Sequence, residues 1–186
     1  MRIISGSHAR RVLRPPLGLP VRPTTDLAKE SLFNILNNYI DFEDLKVLDL
    51  FAGTGNISYE FASRGAALAL CIELNRKCAD YISQTATELK FSKLSVIQAN
   101  VFTFLSRPAG NYDVIFADPP YDMPEREKIP QLVFANNWLA DEGWLIVEHD
   151  NSISFSDYPN FSEIRRYGKV HFSFFTKPGA EEQKEI

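Results

Sequence analysis

The sequence has few cysteines and no long apolar stretch. It contains two cysteines, Cys71 and Cys78, which is fewer than a disulfide framework or a four-ligand zinc site needs. Its longest uninterrupted apolar run, Ala66 to Ile72, is far shorter than the ~18–20 residues of a membrane span. The first residues contain no apolar core of signal-peptide length. We therefore expect a cytoplasmic protein that uses neither a metal ion nor a membrane.

Acidic residues are missing before Asp26, although the whole chain carries a net charge of −4. A basic segment of this kind fits either a contact with nucleic-acid phosphates or a solvated, flexible arm. We expect residues 1–23 to form a basic arm with a small hairpin, residues 24–178 the main domain, and residues 179–186 a disordered acidic tail. The arginines of the arm are Arg2, Arg10, Arg11, Arg14 and Arg22.

Short apolar runs alternate with segments of helical periodicity through the middle of the chain. Such runs indicate strands of a parallel sheet that helices cover on both faces. The first helix is predicted over Thr24–Ile40, and the helix before the fifth strand is predicted to extend through Leu139. The predicted strands are Val47–Phe51, Leu68–Glu73, Leu94–Ile97, Tyr112–Ala117 and Trp144–Glu148.

The end of the chain departs from this alternation. Two strand-like stretches, Phe161–Arg166 and Val170–Thr176, are joined only by Tyr167, Gly168 and Lys169. A connection this short cannot be a crossover between parallel strands, so the pattern predicts a hairpin. The sequence thus favours an α/β fold with a mostly parallel sheet and a C-terminal antiparallel hairpin.

A glycine-rich segment ends the first predicted strand and opens the next helix. In an open parallel sheet, ligands bind beyond the carboxyl ends of the strands, and glycines let them approach the backbone closely. A dinucleotide fingerprint would have a third glycine where Ser58 stands. An acidic residue four positions before the first glycine suits a ligand with an ammonium group better than a pyrophosphate. The candidate binding residues are Asp49, Phe51, Ala52, Gly53, Thr54, Gly55 and Asn56.

Polar residues also follow the second and third predicted strands. Glu73, with Leu74 next to it, closes the second strand about 20 residues beyond the glycine-rich segment, where a carboxylate can accept hydrogen bonds from ribose hydroxyls. Asn100 and Val101 follow the third strand and could hold an adenine ring, although such an asparagine is often a helix cap. Together these residues indicate a ligand that contains adenosine.

The sequence Asp118-Pro119-Pro120-Tyr121 follows the fourth predicted strand. The prolines fix the backbone, so the Asp118 carboxylate and the Pro119 carbonyl form a pair of acceptors beside an aromatic ring. Two acceptors that bind the hydrogens of an exocyclic amine stabilise the positive charge that grows as the nitrogen attacks an electrophile. Tyr121 can stack on the base that carries the amine. The four residues predict a catalytic site at which such an amine acts as the nucleophile.

An adenosine ligand with an ammonium group, together with a site for an amine, points to S-adenosylmethionine as cofactor. With these motifs, the chain resembles the RsmD-like family of 16S ribosomal-RNA guanine-N2 methyltransferases along nearly its whole length. The matching segments are Arg2 to Gly6, Arg22 to Glu30, Leu48 to Gly55, Ile72 and Glu73, Asp118 to Tyr121, and the turn at Tyr167 to Lys169.

The resemblance implies a Rossmann-like methyltransferase fold with a seven-stranded sheet. It also implies that Asp49, the loop from Gly53 to Gly55, Glu73 and Asn100 line the cofactor site. Thr24 would contact the methionine end of the cofactor, and Asp118 to Tyr121 would hold the target guanine. The expected partner is ribosomal RNA, within the small subunit or an assembly intermediate. Thr54 departs from the family, which usually has serine there.

Other functions stay open at this point. The same acceptor pair would serve adenine-N6 methylation of DNA, although 186 residues leave little room for a separate target-recognition domain. Protein glutamine methylation would fit better if Asp118 were asparagine. A binding module without catalysis is a third alternative, but Asp118 and both prolines are present. The substitution of Ser58 for the third glycine disfavours a nicotinamide-dependent oxidoreductase.

Overall fold

The computed structural model describes residues 1–19, 25–107 and 110–177. Its helices are α1 (Asp26–Leu36), α2 (Asn56–Ser63), α3 (Arg76–Glu88), α4 (Val101–Leu105) and α5 (Ile129–Ala135), with a 3-10 helix at Pro124–Lys128. Its strands are β1 (Lys46–Leu50), β2 (Leu68–Glu73), β3 (Leu94–Gln98), β4 (Tyr112–Ala117), β5 (Leu139–His149), β6 (Phe161–Tyr167) and β7 (Val170–Thr176). Across these described residues, no helix is both long enough and apolar enough to span a bilayer.

The chain divides into two compact units, a first unit of Met1–Val101 and a second unit of Phe102–Ile186. In the first unit, β2 lies between β1 and β3, and both pairings are parallel. Asp49 pairs with Cys71 in this register, and Glu73 pairs with Gln98. The carboxyl ends of the three strands therefore share one edge, and the acidic residues of the predicted cofactor site lie there.

In the second unit, β5 pairs with β4 in parallel and with β7 in antiparallel orientation, and β6 pairs with β7. The β6–β7 hairpin turns at Gly168, whose φ of 63° is a conformation that glycine adopts without steric cost. The first unit thus contains three parallel strands, and the second contains four strands with both parallel and antiparallel pairings. The predicted α/β fold, with its parallel strands and C-terminal antiparallel hairpin, is confirmed.

Several predicted boundaries were wrong, each for a local reason. Helix α1 ends at Leu36 rather than Ile40, and the Tyr39 side chain is exposed. Leu139 belongs to β5 and not to the preceding helix, because Asn137 has a φ of 54° that stops α5 and redirects the chain. Phe51 lies beyond β1, with a left-handed φ of 62°. Helix α1 begins at Asp26 rather than Thr24, and the Thr25 hydroxyl caps it by accepting the Ala28 N–H.

The N-terminal residues pack against the rest of the first unit. Arg2 and Val12 form an antiparallel bridge, and backbone hydrogen bonds join Ile3 to Arg10 and Arg11. The Ile3 side chain is buried in the same apolar cluster as Tyr59. The predicted arm of residues 1–23 thus contains a short hairpin within residues 1–14, whereas its end at residues 20–23 and the acidic tail at 179–186 fall outside the described residues.

Candidate active site

The glycine-rich loop between β1 and α2 depends on backbone conformations that glycine tolerates. Gly53 and Gly55 have φ angles of 57° and 79°. A Cβ at Gly55 would lie 2.8 Å from the Tyr59 ring, so alanine does not fit there without a shift. The Gly55 N–H donates to the Ala52 carbonyl at 2.7 Å, which closes the turn. The loop is therefore tight, and its own backbone conformation and hydrogen bond define its shape.

Glu73 at the end of β2 is bound to this loop. Its Oε2 accepts the Gly53 N–H and its Oε1 accepts the Asn75 N–H, both at 2.7 Å, and the residue is 8% exposed. Each carboxylate oxygen has two lone pairs, so each keeps the capacity to accept from a ligand hydroxyl. The structure brings Glu73 and the glycine loop together, as the sequence predicted for a ribose site.

Asp49 near the end of β1 is held by a buried chain of hydrogen bonds. The Ser58 hydroxyl donates to Asp49 Oδ2 at 2.6 Å, and the Cys71 thiol donates to Ser58 Oγ at 3.0 Å. Burial, and secondarily Asp49, raise the pKa of the Cys71 thiol, so the thiol stays protonated and serves as the donor. The sequence analysis missed the role of Ser58, because β2 brings Cys71 to it only in the folded chain.

The remaining predicted cofactor residues differ in exposure. Leu74 and Asn100 are exposed, and Asn100 directly precedes α4. Val101 is 3% exposed and is the first residue of α4. Thr54 and Asn56 are buried and face other residues of the first unit: the Thr54 hydroxyl donates to Met1 Sδ at 3.4 Å, and Asn56 Oδ1 accepts from Lys29 Nζ at 2.9 Å.

Two predicted side chains, Thr24 and Arg22, lie outside the described residues. Their assignment to the cofactor and to RNA stays a prediction. The other four arginines of the arm are all exposed on or beside the short hairpin: Arg2, Arg10, Arg11 and Arg14.

The Asp118–Tyr121 segment directly follows β4 in the second unit. Asp118 is half-buried, Pro119 is buried and Pro120 is exposed. The Pro120 carbonyl accepts the Met123 N–H at 3.0 Å, so the segment ends in a turn. Two consecutive prolines restrict the backbone torsions here, and the acceptors of the segment keep a fixed direction.

Glu148 on β5 orients Tyr121. The Tyr121 hydroxyl donates to Glu148 Oε1 at 3.3 Å, and Glu148 is 4% exposed. The parallel register pairs Ala117 with Val147, so Asp118, directly after β4, comes next in register to Glu148, near the end of β5. The sequence analysis missed Glu148, and the signal that could have found it is a carboxylate at the carboxyl end of the fifth predicted strand.

The charged segment after Tyr121 also has a defined anchor. The Arg126 guanidinium is buried and donates to the Ser152 hydroxyl at 2.6 Å and to Asp150 Oδ1 at 3.5 Å. The Ser152 side chain and, to a lesser degree, Arg126 lower the pKa of Asp150. These bonds join the segment after β4 to the segment after β5. The chain that follows Tyr121 is therefore held in place within the second unit.

His149 has a structural environment rather than a catalytic one. It is fully buried, its Nδ1 donates to the Asp150 carbonyl at 2.7 Å, and its Nε2 accepts from the Ser173 hydroxyl at 2.8 Å. A carbonyl can only accept, which assigns the proton to Nδ1. Burial lowers the pKa of His149 and favours this neutral form.

Comparison with known proteins assigns a family to this chain. The family described as conserved hypothetical protein 95 matches residues 1–176. Ribosomal RNA small subunit methyltransferase D of Buchnera aphidicola is 30% identical, over 94% of this chain and 91% of that protein. The protein of the same name from Escherichia coli K12 is 36% identical, over 81% of this chain and 75% of that protein.

Solved structures agree with the sequence relatives. The Escherichia coli protein yhhF, described as a candidate methyltransferase, has a TM-score of 0.84 at 31% identity and covers 96% of this chain and 98% of its own. An RNA methyltransferase of Salinibacter ruber, solved with S-adenosyl-L-homocysteine, shares the fold with a TM-score of 0.67 at 13% identity, covering 84% of this chain and 94% of its own. With its family match over residues 1–176 and its relatives at 30% identity or more, this chain belongs to the conserved hypothetical protein 95 family, which is the RsmD family.

Proposed function

We propose that the chain methylates the exocyclic N2 amine of a guanine in small-subunit ribosomal RNA, with S-adenosylmethionine as the methyl donor. The observation that carries the proposal is the Asp118–Tyr121 segment, which directly follows a parallel strand in a chain whose relatives are named ribosomal RNA methyltransferases. The RNA would be presented within the small subunit or an assembly intermediate of it.

The residues of the first unit fit the proposed cofactor. Glu73 has capacity to accept from two ribose hydroxyls while it stays bound to the loop amides. Asp49 supplies a fixed negative charge for an ammonium group, and the loop at Gly53 and Gly55 leaves the backbone open to close approach. Leu74 and Asn100 are exposed where an adenine ring would be held. When bound, S-adenosylmethionine supplies an electrophilic methyl group on a sulfonium.

The residues of the second unit would hold the amine. In the proposed mechanism, the Asp118 carboxylate and the Pro119 carbonyl accept the two hydrogens of the guanine N2 amine. Both acceptors then stabilise the positive charge that develops on nitrogen, and the interaction is strongest in the transition state. Tyr121, fixed by Glu148, stacks on the base. The methylated ammonium becomes acidic and loses its proton to water, so no further side chain is needed as a base.

The experiment that tests this proposal uses methyl-labelled S-adenosylmethionine and RNA from cells that lack the protein. Purified small subunits, their naked RNA, and matching RNA from cells that contain the protein are incubated in parallel. We expect label only in material from the deficient cells, and N2-methylguanosine after digestion to nucleosides. A parallel incubation with DNA tests the alternative enzyme, which would label N6-methyl-2′-deoxyadenosine. Cofactor binding without transfer to any substrate would support a non-catalytic module.

A further inference from the structure

Two buried charged residues connect the N-terminal hairpin to the helix that follows the glycine loop. Lys29 on α1 and Glu60 on α2 are both completely buried, and Lys29 Nζ lies 3.6 Å from Glu60 Oε2. Burying such a pair is costly unless hydrogen bonds satisfy the remaining donors and acceptors. The partners that satisfy these two residues are therefore informative about what the pair does.

Glu60 binds the backbone of the hairpin. Its Oε2 accepts the Ile4 N–H at 2.7 Å, and its Oε1 accepts the Ser5 N–H at 3.0 Å. The same Oε1 accepts from Arg64 Nε at 2.9 Å. The two oxygens of this carboxylate thus accept the N–H groups of two consecutive hairpin residues.

Lys29 extends the connection in the other direction. Its Nζ donates to the Arg2 carbonyl at 2.5 Å and to Asn56 Oδ1 at 2.9 Å. Asn56 is the first residue of α2 and directly follows Gly55 of the glycine loop. One ammonium group therefore bonds both an arginine of the arm and the residue that ends the predicted cofactor loop.

Helix α2 holds the hairpin at a third position. The Ser63 hydroxyl donates to the Ser5 carbonyl at 2.6 Å and accepts the His8 N–H at 2.9 Å. A Cβ at Gly6 would lie 1.8 Å from the Ser63 carbonyl oxygen, so the hairpin contacts α2 through bare backbone. Contacts this close leave the exposed arginines Arg2, Arg10 and Arg11 on a fixed support rather than on a free tail.

We infer that Lys29 and Glu60 are positioning residues, which hold the arginine-bearing hairpin in register with the cofactor loop so that RNA phosphates are bound at a defined place. This inference rests on the proposed function, because the hairpin can bind RNA in this role only if RNA is the substrate. It adds that the arm binds RNA through a preorganised surface, which avoids the cost of ordering a flexible segment on binding.

The test compares Glu60→Gln with two other variants. The amide that replaces the Glu60 carboxylate can accept only through its single oxygen, so one of the two hairpin N–H groups is left without an acceptor. Ser63→Ala removes two hairpin bonds and leaves every charge in place. Glu30→Gln is the matched control, since Glu30 neighbours Lys29 in sequence and is exposed. Thermal melting identifies any variant that fails to fold.

Two readouts distinguish positioning from general stability. We expect the Ile4 and Ser5 amides to exchange hydrogen faster in Glu60→Gln and Ser63→Ala than in wild type and Glu30→Gln. RNA affinity should fall roughly 3- to 10-fold in both variants, a loss of the size that one or two net hydrogen bonds contribute. The slope of log affinity against log salt should flatten by about 0.7 for each arginine that no longer binds a phosphate of a single strand.

The outcomes separate the two proposals. Wild-type protein that binds no RNA would overturn the proposed function, and this inference with it. Wild-type RNA binding with the same affinity and salt slope in Glu60→Gln and Ser63→Ala would overturn this inference alone. An equal decrease of RNA affinity in Glu30→Gln would also overturn it, because the loss would then not depend on contacts with the hairpin.

Discussion

The glycine loop of the first unit and the Asp118 segment of the second unit both follow parallel strands, yet different means fix their shapes. The glycine loop relies on hydrogen bonds from distant residues, such as the bond between the Gly53 N–H and Glu73. The Asp118 segment relies on two prolines, whose rings restrict the backbone covalently. The first loop is therefore sensitive to changes in residues far along the chain. The backbone of the Asp118 segment depends mainly on its own prolines, although Glu148 on β5 orients its Tyr121 side chain.

The largest effect is expected from Asp118→Ala. If the carboxylate acts mainly in the transition state, turnover should fall about 10²–10³-fold while cofactor affinity stays nearly unchanged. Asp118→Asn should keep partial activity, since the amide oxygen still accepts one hydrogen bond. The measurement is kcat with RNA alongside calorimetry with the cofactor, and Asp122→Ala, an exposed neighbour, is the control. Near wild-type turnover by Asp118→Ala would show that the acceptor-pair mechanism is wrong.

Glu73→Ala should have the opposite profile. Loss of its carboxylate removes the proposed ribose contacts and the acceptor of the Gly53 N–H, so cofactor binding should weaken by about 1.5–3 kcal/mol. Asp49→Ala should weaken it in the same range. Calorimetry measures both, with the exposed Glu30→Ala as control. Undiminished cofactor affinity in both variants would show that neither carboxylate belongs to the cofactor site.

Ser58→Ala tests whether the position of the Asp49 carboxylate depends on a hydrogen bond from helix α2. The variant deletes the donor to Asp49 and leaves Cys71 without its acceptor. We expect cofactor affinity to fall by about 1 kcal/mol, the net contribution of one buried hydrogen bond. The protein should remain folded, as circular dichroism would show. Unchanged affinity would indicate that strand β1 alone positions Asp49.

The smallest effect on the cofactor is expected from Arg10→Ala combined with Arg11→Ala. These exposed side chains should contribute to RNA binding only, so the salt slope should flatten by up to about 1.4 units while cofactor affinity is retained. Lys93→Ala combined with Lys169→Ala removes the same charge elsewhere on the surface. Equal slopes for wild type and the arginine variant would show that the hairpin presents solvated charges without an RNA role.

Local pattern was sufficient to predict much of the fold. The apolar runs identified all five parallel strands, and the short link at Gly168 identified the hairpin. The errors lie where one residue adopts a left-handed conformation that periodicity does not reveal, as at Asn137 before β5 and Phe51 after β1. Apolar spacing continued past Leu36 although the helix had ended.

Candidate site residues could be proposed from the sequence where they form one contiguous segment or directly end a predicted strand, as Glu73 does. Asp118 to Tyr121 and the glycine loop are such segments. Ser58 and Lys29 acquire their roles from partners on other elements, which no local pattern indicates. Glu148 has a sequence signal, since it ends the fifth predicted strand, but its partner Tyr121 lies on another segment. Ser58 even counted as a departure from another motif, although in the folded chain it is the donor that orients Asp49.

The proposed acceptor of the methyl group is a guanine N2 amine of ribosomal RNA. The most direct measurement is mass spectrometry of nucleosides from small-subunit RNA of deficient cells, after incubation with the protein and methyl-labelled S-adenosylmethionine. We expect label in N2-methylguanosine with wild-type protein and almost none with Asp118→Ala. Label in any other nucleoside, or equal labelling by both proteins, would contradict the proposal.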